Sequence, residues 1–294
     1  MPQPLFIVDV FAESKYAGNQ LAVVADAASL GADEMQRIAR EMNFSETSFL
    51  VSAVRPDGSV DARIFTPARE VPFAGHPTLG TAFVVREELL RRPVDSVTLN
   101  LGVGAIPVRF VDPGGEGGVL WMSQRPPEFG RQLDSATAAA VLGLETRDLD
   151  DRFPVQMVST GLPFLIVPLR SLDALRRARL DRASYASLGE QHGIQCVYFF
   201  CAQTLEAGNQ IHARMFAEAF GVAEDPATGS AAGCLGAYLL QHRYFGSDSV
   251  DVRIEQGHEI RRPSLLRARA RERGERIEVS VGGKVVLVAR GELV

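Results

Sequence analysis

The stretch ARIFTPAREVPFAGHPTLGTAFVV, Ala62 to Val85, decides the reading of this chain because it comes back as ARMFAEAFGVAEDPATGSAAGCLGAYLL, Ala213 to Leu240. Ala62-Arg63-Ile64-Phe65 aligns with Ala213-Arg214-Met215-Phe216, and Thr78 with Thr228, so one residue has dropped out between the two anchors. Each copy reads as a strand, a polar or proline-containing turn, and a helix of small and apolar residues. The flanking elements repeat in the same order, which makes the pair a domain duplication and not a short-period solenoid.

Working outward, the first half reads strand (Leu5 to Phe11), strand (Leu21 to Ala25), helix, strand (Thr47 to Val54), strand (Ser59 to Phe65), helix (His76 to Leu90), strand and strand (Val97 to Leu101, Ile106 to Val111). The first of those helices carries Met35, Ile38, Ala39 and Met42 at helical spacing, with Asp33 as its expected cap. Pro113 to Gly118 combines helix- and strand-breaking residues with a lack of apolar side chains and is the expected linker. In the second half, Val119 to Ser123, Val155 to Ser159 and Phe164 to Val167 read as strands, and Asp134 to Gly143 as an inserted, capped helix. Helices follow at Ser171 to Arg177 and Ser184 to His192, then strands at Cys196 to Ala202 and Ile211 to Phe216. A helix from Ala227 to Gln241 precedes strands at Val250 to Glu255, Arg276 to Val281 and Lys284 to Arg290. The expected domains are residues 1–117 and 118–283, with a strand at about 284–294 that can return to the first.

The two repeat helices have no polar face for over a turn, so they are expected to be buried all round. Strand twist favours a sheet curled about each. Their starts, at His76-Pro77-Thr78 and Asp225-Pro226-Ala227-Thr228, present free backbone N–H groups. Packed as a pseudo-dimer, the halves would aim both starts at one cleft and hold an anion such as a carboxylate there.

Composition excludes several classes. With 294 residues, 46% hydrophobic and 23% charged, this is an ordinary globular chain long enough for two domains. A net charge of −5 with scattered Lys and Arg excludes a nucleic-acid surface. No apolar run approaches a membrane span, and MPQPLFIVDVF lacks the pattern of a signal peptide, so a cytoplasmic location is expected. Cys196, Cys201 and Cys234 read as buried free thiols. His192, His212, His242 and His258 form no metal-ligand spacing.

Five segments carry a resemblance: GNQLAVV (Gly18 to Val24), NFSETSF (Asn43 to Phe49), PFAGHPTLG (Pro72 to Gly80), LWMSQRPPEF (Leu120 to Phe129) and EDPATGSA (Glu224 to Ala231). In order and over nearly the whole chain, they resemble the phenazine-biosynthesis isomerase family, the PhzF-like proteins. The resemblance implies an α+β protein of two pseudo-symmetric diaminopimelate epimerase-like domains, each a curled mixed sheet around a central apolar helix. It implies an isomerase without cofactor or metal, acting on a small carboxylate and commonly a homodimer.

The same resemblance assigns residues. Glu46 matches the family's acid/base; among Phe44 and Phe49 its carboxyl would be held near neutral pH, able to take a proton and return it. His76 would relay or donate a proton. Asp225 would bond an amino or hydroxyl group, and is also placed to cap the second helix. Ser230 and the amides of Gly75 and Gly229 would hold a carboxylate or the developing enolate. The wider group includes racemases with one cysteine at each helix start; Gly75 and Asp225 stand at about those positions here. Two alternatives remain: an amino-acid racemase in which Asp225 or His76 replaces a thiol, and a non-catalytic small-molecule-binding homodimer.

Overall fold

The computed structural model describes residues 2–111, 118–274 and 276–294. Residues 113–117 of the expected linker lie outside the described residues. The chain forms two compact units, Met1–Ser123 with Gly282–Val294, and Gln124–Val281.

The first unit contains β1 (Gln3–Val10), β2 (Asn19–Val24), α1 (Ala32–Met42), β3 (Glu46–Leu50), β4 (Ser59–Phe65), the short β5 (Glu70–Val71), α2 (Gly75–Val84), β6 (Ser96–Leu101), β7 (Gly104–Val111) and β8 (Val119–Ser123). The second contains β9 (Glu128–Leu133), α3 (Ser135–Val141), β10 (Val155–Ser159), β11 (Pro163–Pro168), α4 (Leu172–Arg177), α5 (Arg182–His192), β12 (Val197–Cys201), β13 (Ile211–Phe216), α6 (Gly229–Gln241), β14 (Ser249–Gln256), β15 (Ser264–Arg273) and most of β16 (Arg276–Gly283). The last strand, β17 (Val285–Leu293), pairs antiparallel with β1 in the first unit.

The duplication is visible in the strand pairing. In the first unit, β1–β2 is antiparallel, β2–β3 parallel, β3–β4 antiparallel, β4–β6 parallel and β6–β7 antiparallel. In the second, β10–β11, β11–β12, β12–β13, β13–β14 and β14–β15 follow the same alternation. Every residue of α2 is buried, and the helix touches β1, β2, β3, β6, β7, β8 and β17. It therefore runs through the middle of its sheet. α6 is buried from Ala231 to Leu240 and touches β10, β11, β14 and β15. Small residues make this closeness possible. A Cβ on Gly80 would stand 2.6 Å from Leu21 Cδ2 and 2.8 Å from Val10 Cγ2, and one on Gly236 would stand 3.3 Å from Ala268 Cβ.

Strand alternation sorts the side chains of β3. Phe49 faces outward to α1, in a cluster with Val24, Met35, Ala39 and Phe65. Glu46 faces the other way, to the start of α2.

Several expectations need correction. Gly31, not Asp33, is the N-cap of α1, and Asp33 sits in its first turn. β3 ends at Leu50, short of the expected Val54. The helical path does reach Leu90, but Val85–Leu90 is a turn of π-helix. α6 begins at Gly229, two residues later than expected, with Thr228 as N-cap, so Asp225 does not cap it. β8, expected to open the second half, instead pairs with β7 in the first unit. β9 and β15 were not anticipated.

Candidate active site

In the first unit, the site residues meet where β3 begins and α2 begins. α1 stops at Asn43, which adopts a left-handed conformation (φ 52°) and bonds back to Ala39 O. Three residues later Glu46 opens β3. The α2 start follows from PFAGHP: Ala74 is extended, Gly75 and His76 enter the helix, and Pro77 occupies the first turn, where its missing N–H costs nothing. No side chain caps this start. His76 Nε2 lies 3.4 Å from Glu46 Oε2, with the side chains 6% and 19% exposed.

Burial pushes the His76 imidazole down to about 3, opposed by a hydrogen bond from the ring to the Gln20 backbone. The ring is therefore neutral. Nε2 makes no hydrogen bond among the described residues, so the Gln20 bond belongs to Nδ1. Its N–H donates there, and the Nε2 lone pair faces the Glu46 carboxyl. Two acceptors that face each other favour one proton between them.

In the second unit, Asp225, Gly229 and Ser230 come together at the start of α6, and again no side chain caps the helix. Asp225 is buried. The Thr228 hydroxyl donates to Asp225 Oδ2 at 2.5 Å instead of capping. Gln256, at the end of β14, locks the turn: its Nε2 donates to Asp225 O at 2.8 Å and to Thr228 Oγ1 at 3.0 Å. Its Oε1 accepts from Thr228 N–H and the Tyr198 hydroxyl. Next to it, Glu224 takes both forks of the buried Arg214 at 2.9 and 2.8 Å. The Asp225 side chain thus sits in a rigid frame, four residues before Gly229, where α6 begins, with Ser230 half-buried.

The reading of the sequence missed Thr228 and Gln256. Thr228 lay within a quoted motif. Gln256 is separated from it by 28 positions and is brought near by the sheet, so no local pattern marks it. All three cysteines are free and buried, and burial raises their thiols, to about 12 for Cys196 and Cys201 and about 11 for Cys234. None is poised as a thiolate base. One cavity, of about 360 Å³, lies beside Arg63, Glu70 and Pro72, and another, of about 580 Å³, lies beside Arg176, Glu259 and the Arg214–Glu224 pair. Their charged walls are largely paired to each other, through Arg63–Glu70, Arg214–Glu224 and Arg176–Glu259.

A curled sheet around an apolar helix, made twice, defines the class of the diaminopimelate epimerase-like fold. The fold is shared with a structure described as a "probable proline racemase" from Agrobacterium radiobacter, which superposes with a TM-score of 0.65 at 11% identity, covering 99% of this chain and 93% of that one. The family within that class is narrower. The profile described as "Phenazine biosynthesis-like protein" matches residues 8–291, and the chain belongs to that family, PhzC-PhzF. The trans-2,3-dihydro-3-hydroxyanthranilate isomerase of Pseudomonas aeruginosa is 36% identical over 286 residues, 97% of each chain. A PhzF-family crystal structure from Bacillus anthracis superposes with a TM-score of 0.91 at 29% identity, covering 100% of this chain and 99% of that one. This chain is an isomerase of that family.

Proposed function

We propose that the protein is a cofactor-independent isomerase that moves a proton between carbons of a small, cyclic amino or hydroxy carboxylate, with Glu46 as general acid and base. The observation that carries this reading is the Glu46–His76 pair, a carboxyl 3.4 Å from a neutral, buried imidazole at an uncapped helix start. Glu46 as carboxylate takes a proton from an sp3 carbon, and the electron pair spreads into the conjugated acid. His76 Nε2 shares the proton while the anion persists. Glu46 then returns it to another carbon of the same system, so no atom is gained or lost. The uncapped start of α2 with the Gly75 amide, and the start of α6 with Gly229, Ser230 and Asp225, are the proposed substrate-binding elements of their respective units. The relative's name supports a substrate close to trans-2,3-dihydro-3-hydroxyanthranilate.

A racemase has less support. Inversion at carbon needs a second base on the opposite face, and the cysteines that supply it in the wider group have no counterpart here: Cys234 lies inside α6 with its thiol raised. To test the reading, the protein is incubated with trans-2,3-dihydro-3-hydroxyanthranilate in D₂O. The expected result is a constitutional isomer in which the transferred position carries partial deuterium. An unchanged substrate, or one inverted at a single carbon, contradicts it. The same reading carries a cytoplasmic homodimer, for which light scattering should give about twice 31.9 kDa.

A further inference from the structure

Gln124 belongs to LWMSQRPPEF, a segment that the roles above leave unused. Its carboxamide lies flat on α6 in the space left by Gly233, where a Cβ would stand 2.6 Å from Oε1 and 2.8 Å from Cδ. Along a helix the Cα–Cβ direction leans toward the N-terminus. A group seated there therefore covers the turn that starts at Gly229 and Ser230. Gly233 and Gln124 fit as a pair, since a Cβ at 233 would push the carboxamide from that seat.

The orientation of the amide is fixed from the other side. The Thr160 hydroxyl donates to Gln124 Oε1 at 2.6 Å, a length typical of O–H···O bonds and short for N–H···O. Thr160 Oγ1 also lies 3.5 Å from Cys234 Sγ, whose buried thiol keeps its proton. The Cys234 thiol has an acceptor of its own in Leu162 O at 3.9 Å, which leaves the Thr160 hydroxyl proton to Gln124 Oε1. Nε2 is left on the side away from Thr160. It is buried and has no acceptor among the described residues. A buried donor without an acceptor is a standing cost to the fold, and a ligand acceptor arriving beside it would remove that cost.

We propose that Gln124 is a substrate-binding residue whose Nε2 donates to a carboxylate oxygen of the acid held at the start of α6. This rests on the function proposed above. It adds a side-chain donor to the backbone amides of Gly229 and Ser230, and selects acids over neutral analogues of the same ring.

The test uses the stable aromatic acid 3-hydroxyanthranilate, with binding measured by calorimetry and stability by thermal unfolding, in wild type, Gln124→Glu and Gln124→Met at pH 8. Gln124→Glu keeps the length, the shape and the bond from Thr160 but exchanges the NH₂ for an acceptor. Its affinity should fall by at least about tenfold. Gln124→Met loses the donor, and should also bind more weakly while its melting temperature stays level or rises. A purely structural amide would show the reverse, with lower melting temperature and unchanged affinity. Affinity within about twofold of wild type in Gln124→Glu overturns the assignment. Should that variant fail to fold, the same result in Gln124→Met overturns it. If only the assignment is wrong, wild type still binds the acid. If wild type binds no acid of this class, the proposed function falls and the assignment falls with it.

Discussion

His76 pays for its position in pH dependence. Unfolded, an imidazole titrates near its usual value of about 6.5; in the folded chain burial holds it down to about 3. Between those values the unfolded chain binds the proton and the folded chain does not, so stability present above the unfolded value is lost as pH falls through the window. The slope is at most about 1.4 kcal/mol per pH unit. His76→Asn should therefore show a flatter melting temperature than wild type between pH 6.5 and pH 4, and equal slopes would contradict the neutral ring. At this scale much of the candidate site was legible. Glu46, His76, Asp225, Gly75, Gly229 and Ser230 all fall in motifs with local signatures, and the structure brings Glu46 to His76, and Asp225 to the helix start with Gly229 and Ser230. The supports were not legible. Gln256 reaches Asp225 across the sheet and Thr160 reaches Gln124 from another strand end, and neither distance is written in sequence spacing.

At the scale of elements, the turn before α6 is held by backbone contacts that leave no space. Gly257 has φ +77°, and a Cβ there would stand 2.4 Å from Arg262 O and 2.6 Å from Pro226 O. Gly257→Ala should cost about 2 kcal/mol or more, since neither backbone can yield cheaply. Because Pro226 follows Asp225, activity should fall more than stability alone predicts. Gly80→Ala meets the ends of Leu21 and Val10 instead, and should cost about 1–3 kcal/mol by overpacking. Thermal unfolding of the two variants with activity measured below the transition checks both. The central helices were readable because an apolar run without a polar face has one solution. β15 was missed although its alternation is real: Leu266, Ala268 and Ala270 are buried between outward arginines. Alanine is too small to stand out against them. β9, EFGRQL, is largely exposed and has no apolar face to show.

For the whole molecule, the end of the chain completes the first unit. β17 pairs with β1 from Gln3–Leu293 to Val10–Val285, Ala12 N–H donates to Lys284 O, and Lys284 reaches Glu13 at 2.7 Å. Deleting residues 284–294 should expose that long edge and the flank of α2, leaving a chain that aggregates, as soluble yield and circular dichroism would show. A truncated chain with wild-type melting would contradict the pairing. The duplicated topology was legible from two anchors 150 or so positions apart because both copies keep the same strand–turn–helix order. The exchange of β8 into the first unit was not, since a strand's sequence does not say which neighbour it joins. The proposed proton shift turns on Glu46, and the most direct measurement is solvent exchange by Glu46→Gln in D₂O, with folding verified by thermal unfolding. The isostere should keep the fold and lose isomerisation and deuterium uptake by at least about a hundredfold. Undiminished uptake in a folded Glu46→Gln protein would remove Glu46 from the proton transfer.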